Sequence, residues 1–436
     1  MLSSVCALGI LLSGGYIYYN TNVLNPYITR IDIEERTAAY EKAYKQYANQ
    51  PYPDAERVYA QVDIYPEASE AHIEGHYDMR NNYLFALTQL HFSVPAYITI
   101  NALEIPNATQ ILADKELGYY VYELNPPMQQ GESFQMDFDL DWLTPGFVNN
   151  SPTTSLLSNG TFFNNTEVMP LPGYQQDREL ADNNRRRRYD LPPAERMARI
   201  DDPIRRDIGL GTRRRVEFET IVSTSDDQIA VAPGYLQREW QEAGRRYFHY
   251  KMDAPIWPFV AFLSADYAVK ADQWNDVKLE VYYKHEVNVE RLLEASKKSL
   301  DYFTSNFSPY QYQRYRIFEF PIQRGTFAQP FPNTIPFSEG IGFVADIRDP
   351  QNIDYVFYVT AHELAHQWWG HQVAGADVQG SAVITETLSQ YSALMVMEME
   401  YGPHQMRRFL KYELDRYLSK RGSEVIEEIP LMLVEN

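Results

Sequence analysis

The chain has 436 residues, 44% of them hydrophobic and 22% charged, which is globular composition for two or three domains and excludes a disordered or fibrous protein. Its 39 Lys+Arg against 59 Asp+Glu leave a net charge of −20, which repels nucleic acid, so no nucleic-acid partner is expected. The single cysteine, Cys6, excludes an intrachain disulfide and any cysteine-ligated metal site, so a metal here must be held by His and carboxylate.

In chain order, Leu2 to Tyr19 reads LSSVCALGILLSGGYIYY, an uncharged apolar run of about the length a bilayer requires. No basic start or small-residue cleavage site marks it as a removable leader, so residues 1–20 are expected to form a transmembrane helix with Tyr16, Tyr18 and Tyr19 at the exit interface. Residues 21–54 follow as a helical stalk: 31–49 mixes strong helix formers with charges and shows no wide apolar stripe. From 55 to 284 the pattern alternates polar with apolar or aromatic residues, as in RVYAQVDIY, SFQMDFDLDW and VKLEVYYK, which predicts an antiparallel sheet domain. An insert at about 146–214 is rich in Asn, Pro and Arg; its runs Arg185–Arg188 and Arg213–Arg215 read as solvated surface. After 285 the period turns helical, in VNVERLLEASKKSLDYFTSNF, FYVTAHELAHQWW and ITETLSQYSALMVMEMEYG, so a mixed α/β domain is expected over 285–436. The fold class is therefore α+β.

His362-Glu363-Leu364-Ala365-His366 lies in a stretch without Pro or Gly from Ile353 to Trp369, where a helix is expected. Two histidines four apart project from one helical face and reach one ion, while Glu363 sits beside them, placed to act on a water as general base. A catalytic zinc takes three protein ligands and leaves a position open. The third is expected to be Glu386, which opens the next helical stretch after the loop Val373–Ser381; His371 and Asp377 are the alternatives. One zinc ion is the expected cofactor.

His362 through Gly370, HELAHQWWG, followed by Glu386 in a helix, resembles the aminopeptidase N-like zinc metallopeptidases, gluzincins with a thermolysin-like catalytic domain. The nineteen residues between His366 and Glu386 are one more than that family usually has. Pro336-Phe337-Ser338-Glu339-Gly340 occupies the place of the family's Gly-Ala-Met-Glu-Asn strand and keeps its Glu. The resemblance implies a saddle-like sheet domain, a peptide substrate with a free N-terminus, a substrate-binding role for Glu339 and Gly340, and hydrolysis of N-terminal peptide bonds. It also implies a C-terminally incomplete catalytic domain, because the family's oxyanion-stabilising tyrosine would fall beyond Asn436. More narrowly, Gln367-Trp368-Trp369 and Ser338-Glu339-Gly340-Ile341-Gly342 look like the peptidase-like portion fused to bacterial ABC-transporter permeases. That likeness implies membrane localisation with an extracytoplasmic catalytic domain, transporter subunits as partners, and, as the competing function, a catalytically impaired peptide-binding module.

Overall fold

The computed structural model describes residues 2–149, 154–208, 214–349, 352–422 and 428–435; Arg213 of the second arginine run and Asn436 lie outside them. The chain divides into two compact units, one made of Met1–Asp54, Val62–Ser158 and Thr166–Glu195, the other of Ala55–Gln61, Asn159–Asn165 and Arg196–Asn436. The class is α+β with antiparallel and mixed sheets.

The first unit opens with α1 (Leu2–Tyr18), whose apolar side chains Val5, Leu8, Ile10, Leu11 and Leu12 are exposed. The expected transmembrane helix is not found: no helix among the described residues is long and apolar enough to cross a membrane. At 17 residues α1 rises about 26 Å against the roughly 30 Å of a hydrocarbon core. It then gives way to a polar π-helical turn, Tyr19–Leu24, in which Asn20 Nδ2 and Thr21 Oγ1 donate back to Tyr16 O and Ile17 O. Hydropathy reported the apolar character of the run but not where the helix stops, and the membrane localisation expected from it falls with it.

Helix α2 (Arg30–Tyr44) starts at a capping box formed by Thr29 and Asp32, and it is no solvated stalk. Ala38, Tyr40 and Tyr44 are buried, with Tyr40 and Tyr44 packing on Tyr119 and Val121. Tyr44 stacks on Tyr119 at 4.1 Å between ring centroids and donates to Asp114 Oδ2 at 2.6 Å. Charges are buried here too. In α3 (Asn183–Arg188) the Arg186 side chain is fully enclosed, so the first arginine run is only partly the solvated surface its composition suggests. Arg186 meets the Glu41 carboxylate with two nitrogens, because Glu41 lies on the inward face of α2. Two antiparallel arrays of strands complete the unit, one a run of three within a larger sheet, Glu70–Arg80, Ser133–Trp142, Ile98–Glu104, the other the sheet Ala108–Asp114, Tyr119–Met128, Leu87–Ser93, Leu171–Pro172.

In the second unit Tyr235–Glu242, Arg245–Lys251 and Glu217–Ser225 pair antiparallel, as do Ile229–Val231, Ala261–Ala265 and Thr161–Asn164. A four-stranded mixed sheet runs Ala268–Trp274, Val277–Tyr283, Arg314–Phe320, Thr334–Ser338; its first pair is antiparallel and the other two are parallel. Alternation had placed Ala268–Trp274 and Val277–Tyr283 in the preceding sheet domain, because a period of two identifies a strand without naming the sheet it joins. Four helices share a core with this sheet: α4 (Val289–Asn306), α5 (Tyr355–Ala365), α6 (Leu388–Tyr401) and α7 (Pro403–Arg421). Leu292, Leu300, Phe303, Val356, Phe357, Leu364, Val396 and Phe409 fill that core, which fixes the face of α5 that remains for chemistry.

Candidate metal centre

Helix α5 begins where the Asp354 side chain accepts from Phe357 N–H and ends at Ala365, so His366 stands on the C-terminal cap, still in helical conformation at φ −61° and ψ −21°. The four-residue spacing therefore survives, and the His362 and His366 Nε2 atoms lie 3.1 Å apart. Glu386 Oε2 approaches them at 3.6 Å and 3.8 Å. These three residues form a group able to hold a metal ion. Glu386 sits in a π-helical turn, Val383–Thr387, immediately ahead of α6. Such a turn closes over one residue more than an α-turn. The side chains of His362 and His366 are 18% and 8% exposed and that of Glu386 is 65% exposed, so the group is open to solvent on the carboxylate side.

Glu363 is buried beside this group, and its Oε2 has no hydrogen-bond partner among the described residues. Burial, reinforced by the Glu386 charge and opposed by His362, pushes its carboxyl up to about 7. At His362 burial opposes protonation, but the Glu386 contact and the Glu363 and Glu386 charges prevail and raise its pKa. His366 moves the other way, lowered by burial and then by His362, while Glu386 is lowered chiefly by its contact with His362. Two imidazoles and a carboxylate drawn to one point, with a buried carboxylate beside them, fit a borderline divalent ion such as zinc.

Neither alternative third ligand joins the group. His371 is buried and donates from Nε2 to Pro330 O at 3.2 Å, and burial lowers its pKa to about 4. Asp377 pairs with Arg205 at 2.6 Å.

Glu339 and Gly340 stand just after the edge strand Thr334–Ser338. Glu339 Oε1 accepts from Ile322 N–H at 3.0 Å, and its carboxylate converges with His285 and Glu319 rather than with the two histidines of α5. Glu319, nearly fully buried, also accepts from the backbone N–H groups of Lys284 and His285. A side chain at Gly340 would meet Ile322 Cδ1 at 2.8 Å, so the glycine already serves a local packing need. Gln367 links the two regions: its Nε2 donates to Phe331 O at 3.1 Å and its Oε1 accepts from Asn333 N–H at 3.2 Å, holding the turn ahead of the edge strand to the end of α5. Sequence reasoning quoted Gln367 only as part of a motif and gave it no structural role, and it singled out neither His285 with Glu319 nor Ser389, whose Oγ lies 3.1 Å from His366 Nδ1. Only Ser389 left a readable signal, three positions after Glu386 on the same helical face.

No family model matches the sequence, and no curated protein matches it. Solved structures do match. An M1 zinc metallopeptidase from Deinococcus radiodurans is similar with a TM-score of 0.57 at 14% identity, over 88% of this chain and 78% of that one. A mutant M1 zinc metallopeptidase from Deinococcus radiodurans, bound to a Tyr-Ser-Ala substrate, is similar with a TM-score of 0.56 at 13% identity over the same shares. At that identity the likeness establishes the fold.

Proposed function

We propose that this chain is a zinc metallopeptidase acting on N-terminal peptide bonds. The observation that carries the reading is the convergence of His362, His366 and Glu386 beside the buried Glu363, one of whose carboxylate oxygens has no hydrogen-bond partner among the described residues, within a fold similar to M1 zinc metallopeptidases. His362 Nε2, His366 Nε2 and Glu386 Oε2 would hold one zinc ion, which when bound supplies Lewis acidity to the scissile carbonyl and the attacking water.

The remaining steps belong to the protein. Glu363, with an oxygen facing no other group, takes the proton of the attacking water and returns it to the leaving amine. Its raised affinity for a proton suits that return, since a carboxyl near neutrality both accepts and releases. Glu339 is the residue proposed to meet the substrate's free ammonium, with Gly340 beside it; the group it forms with His285 and Glu319 offers two carboxylates to a cation. The tripeptide on the Deinococcus radiodurans mutant supports short peptides as the substrate class.

The test is hydrolysis of aminoacyl chromogenic amides by the whole chain. Activity should vanish on chelation, return with zinc, and be lost on N-acetylated substrates. Cleavage that survives full chelation would defeat the metallopeptidase, and equal cleavage of the acetylated substrate would leave a peptidase without N-terminal specificity.

A further inference from the structure

We propose that two segments remote in sequence, 196–208 and 430–435, form a clamp that positions Glu386 for the metal by gripping the loop ahead of it. This rests on the zinc-site reading above. The clamp gives the end of the Asn-, Pro- and Arg-rich insert a role at the metal centre.

Glu386 is the ligand least fixed by packing. His362 stands on α5, whose Val356, Phe357 and Leu364 are locked into the core, and His366 follows on its cap. The π-helical turn Val383–Thr387 that carries Glu386 has no buried residue. Its far end runs directly into α6, which begins at Leu388. Its near end depends on the loop 373–381, where Gly380 O accepts from Val383 N–H at 3.0 Å.

Both segments grip that loop. Asp377 N–H donates to Ile208 O and Gln379 N–H to Ala198 O, each at 2.8 Å, while Gly380 N–H donates to Val434 O at 2.7 Å. Side chains repeat the pattern. Arg205 pairs with Asp377 at 2.6 Å, and Gln379 Nε2 donates to Glu435 Oε1 at 2.9 Å. Arg196 meets that same Glu435 oxygen at 2.5 Å, which ties the two gripping segments to each other. Val378, Gln379 and Ser381 are buried. Gly380 is required where it stands: its φ is +79°, and a Cβ there would lie 3.0 Å from both Cα and O of Met432.

A loop free to move surrenders backbone entropy when its ligand closes on an ion, and that loss is subtracted from the affinity. Here the ordering is accomplished on folding, so the fold itself holds Glu386 Oε2 at 3.6 Å and 3.8 Å from the two imidazole nitrogens. Asp377 thus acts on the metal through Glu386 rather than as a ligand. Asp377, Gln379, Gly380, Arg205 and Glu435 are positioning residues.

The experiment uses the whole chain and compares wild type with Asp377→Ala/Glu435→Ala, Gly380→Ala and Asp201→Ala, each also in a Glu386→Ala background. Asp201 pairs with Arg199 at 3.1 Å within the same segment and serves as the control. Amide hydrogen exchange of the zinc-free protein reads the loop, and competition with a chromophoric chelator reads zinc affinity. We expect wild type to protect the amides of Asp377, Gln379 and Gly380. Asp377→Ala/Glu435→Ala and Gly380→Ala should lose protection from there through the turn Val383–Thr387, with α5 unchanged. Zinc should bind about tenfold more weakly in both. In the Glu386→Ala background the same substitutions should cost no further affinity, because the ligand they position is gone. Asp201→Ala should match its parent throughout. Wild-type exchange and affinity in both clamp variants would overturn the proposal. So would an equal loss of affinity with and without Glu386, or exchange that quickens across α5 as well, since either assigns the segments to general stability. If wild type binds no zinc, the metallopeptidase reading fails on its own, while exchange in the turn Val383–Thr387 still decides the clamp.

Discussion

Two buried charged groups, one in each unit, are handled in opposite ways. In the first unit every nitrogen of Arg186 is engaged. Nε donates to Pro192 O at 2.6 Å, Nη1 to Glu41 Oε2 at 2.9 Å and Leu180 O at 2.7 Å, and Nη2 to Glu41 Oε1. In the second unit Glu363 is equally enclosed, yet one of its oxygens faces no donor, and the buried Nδ1 of the neighbouring His362 also lacks an aligned partner. Burial of an ion costs free energy unless hydrogen bonds replace the water it loses. The first arrangement offsets that cost with hydrogen bonds and holds α2 to α3. The second leaves it standing, which is why the Glu363 carboxyl is pushed up to about 7 and remains ready to exchange a proton. A satisfied buried charge thus organises structure, and an unsatisfied one is available for chemistry.

Three substitutions would break or sharpen that contrast. The largest effect is expected from Glu363→Gln: peptide hydrolysis should fall by about two to four decades in kcat. Its thermal unfolding midpoint should hold or rise, because an uncompensated buried carboxylate is removed. A variant that kept activity, or lost it only through unfolding, would place Glu363 with the structural charges. Next comes Arg186→Met, which leaves the buried Glu41 carboxylate with the longer Lys45 contact at 3.5 Å; equilibrium denaturation should show a loss of about 3–5 kcal/mol, largely recovered in Arg186→Met/Glu41→Leu. If the single variant is as stable as wild type, the pair does not hold α2 in place.

The smallest effect concerns His91, an exception within the first unit. It is buried, accepts or donates at Nδ1 with Tyr119 Oη at 3.0 Å, and has no partner at Nε2 among the described residues. Burial lowers its pKa from the ordinary 6.5 to about 4. Between those values the unfolded chain takes up the proton before the folded one, so stability present above pH 6.5 is lost as pH falls toward about 4. Denaturation midpoints followed from pH 7 to pH 4 should decline less steeply in His91→Phe. An identical slope would mean that His91 is not a source of acid sensitivity.

The legible parts of the molecule were those that depend on neighbours in sequence. The histidine spacing on α5 is a local geometric fact, and the structure keeps it even though His366 has moved onto the helix cap. Alternation found most of the strands, but it could not assign Ala268–Trp274 and Val277–Tyr283 to the mixed sheet, because register with Arg314–Phe320 lies outside any local window. The arginine run failed for the same reason. Charge density predicts solvent for Arg186, and only the fold shows Glu41 opposite it. The motif pointed to Glu339, but its neighbours His285 and Glu319 come from two other segments of the chain.

Sequence alone restricts any metal to His and carboxylate and places two histidines one turn apart on a helix with a carboxylate beside them. Composition and a period of 3.6 residues are enough for that. Tertiary structure alone decided how far α1 reaches, which charges are satisfied, and which side chains orient the ligands. Each of those depends on where a helix stops or on which distant group comes within about 3 Å, and hydrogen bonds are too short-ranged to be read from spacing along a chain.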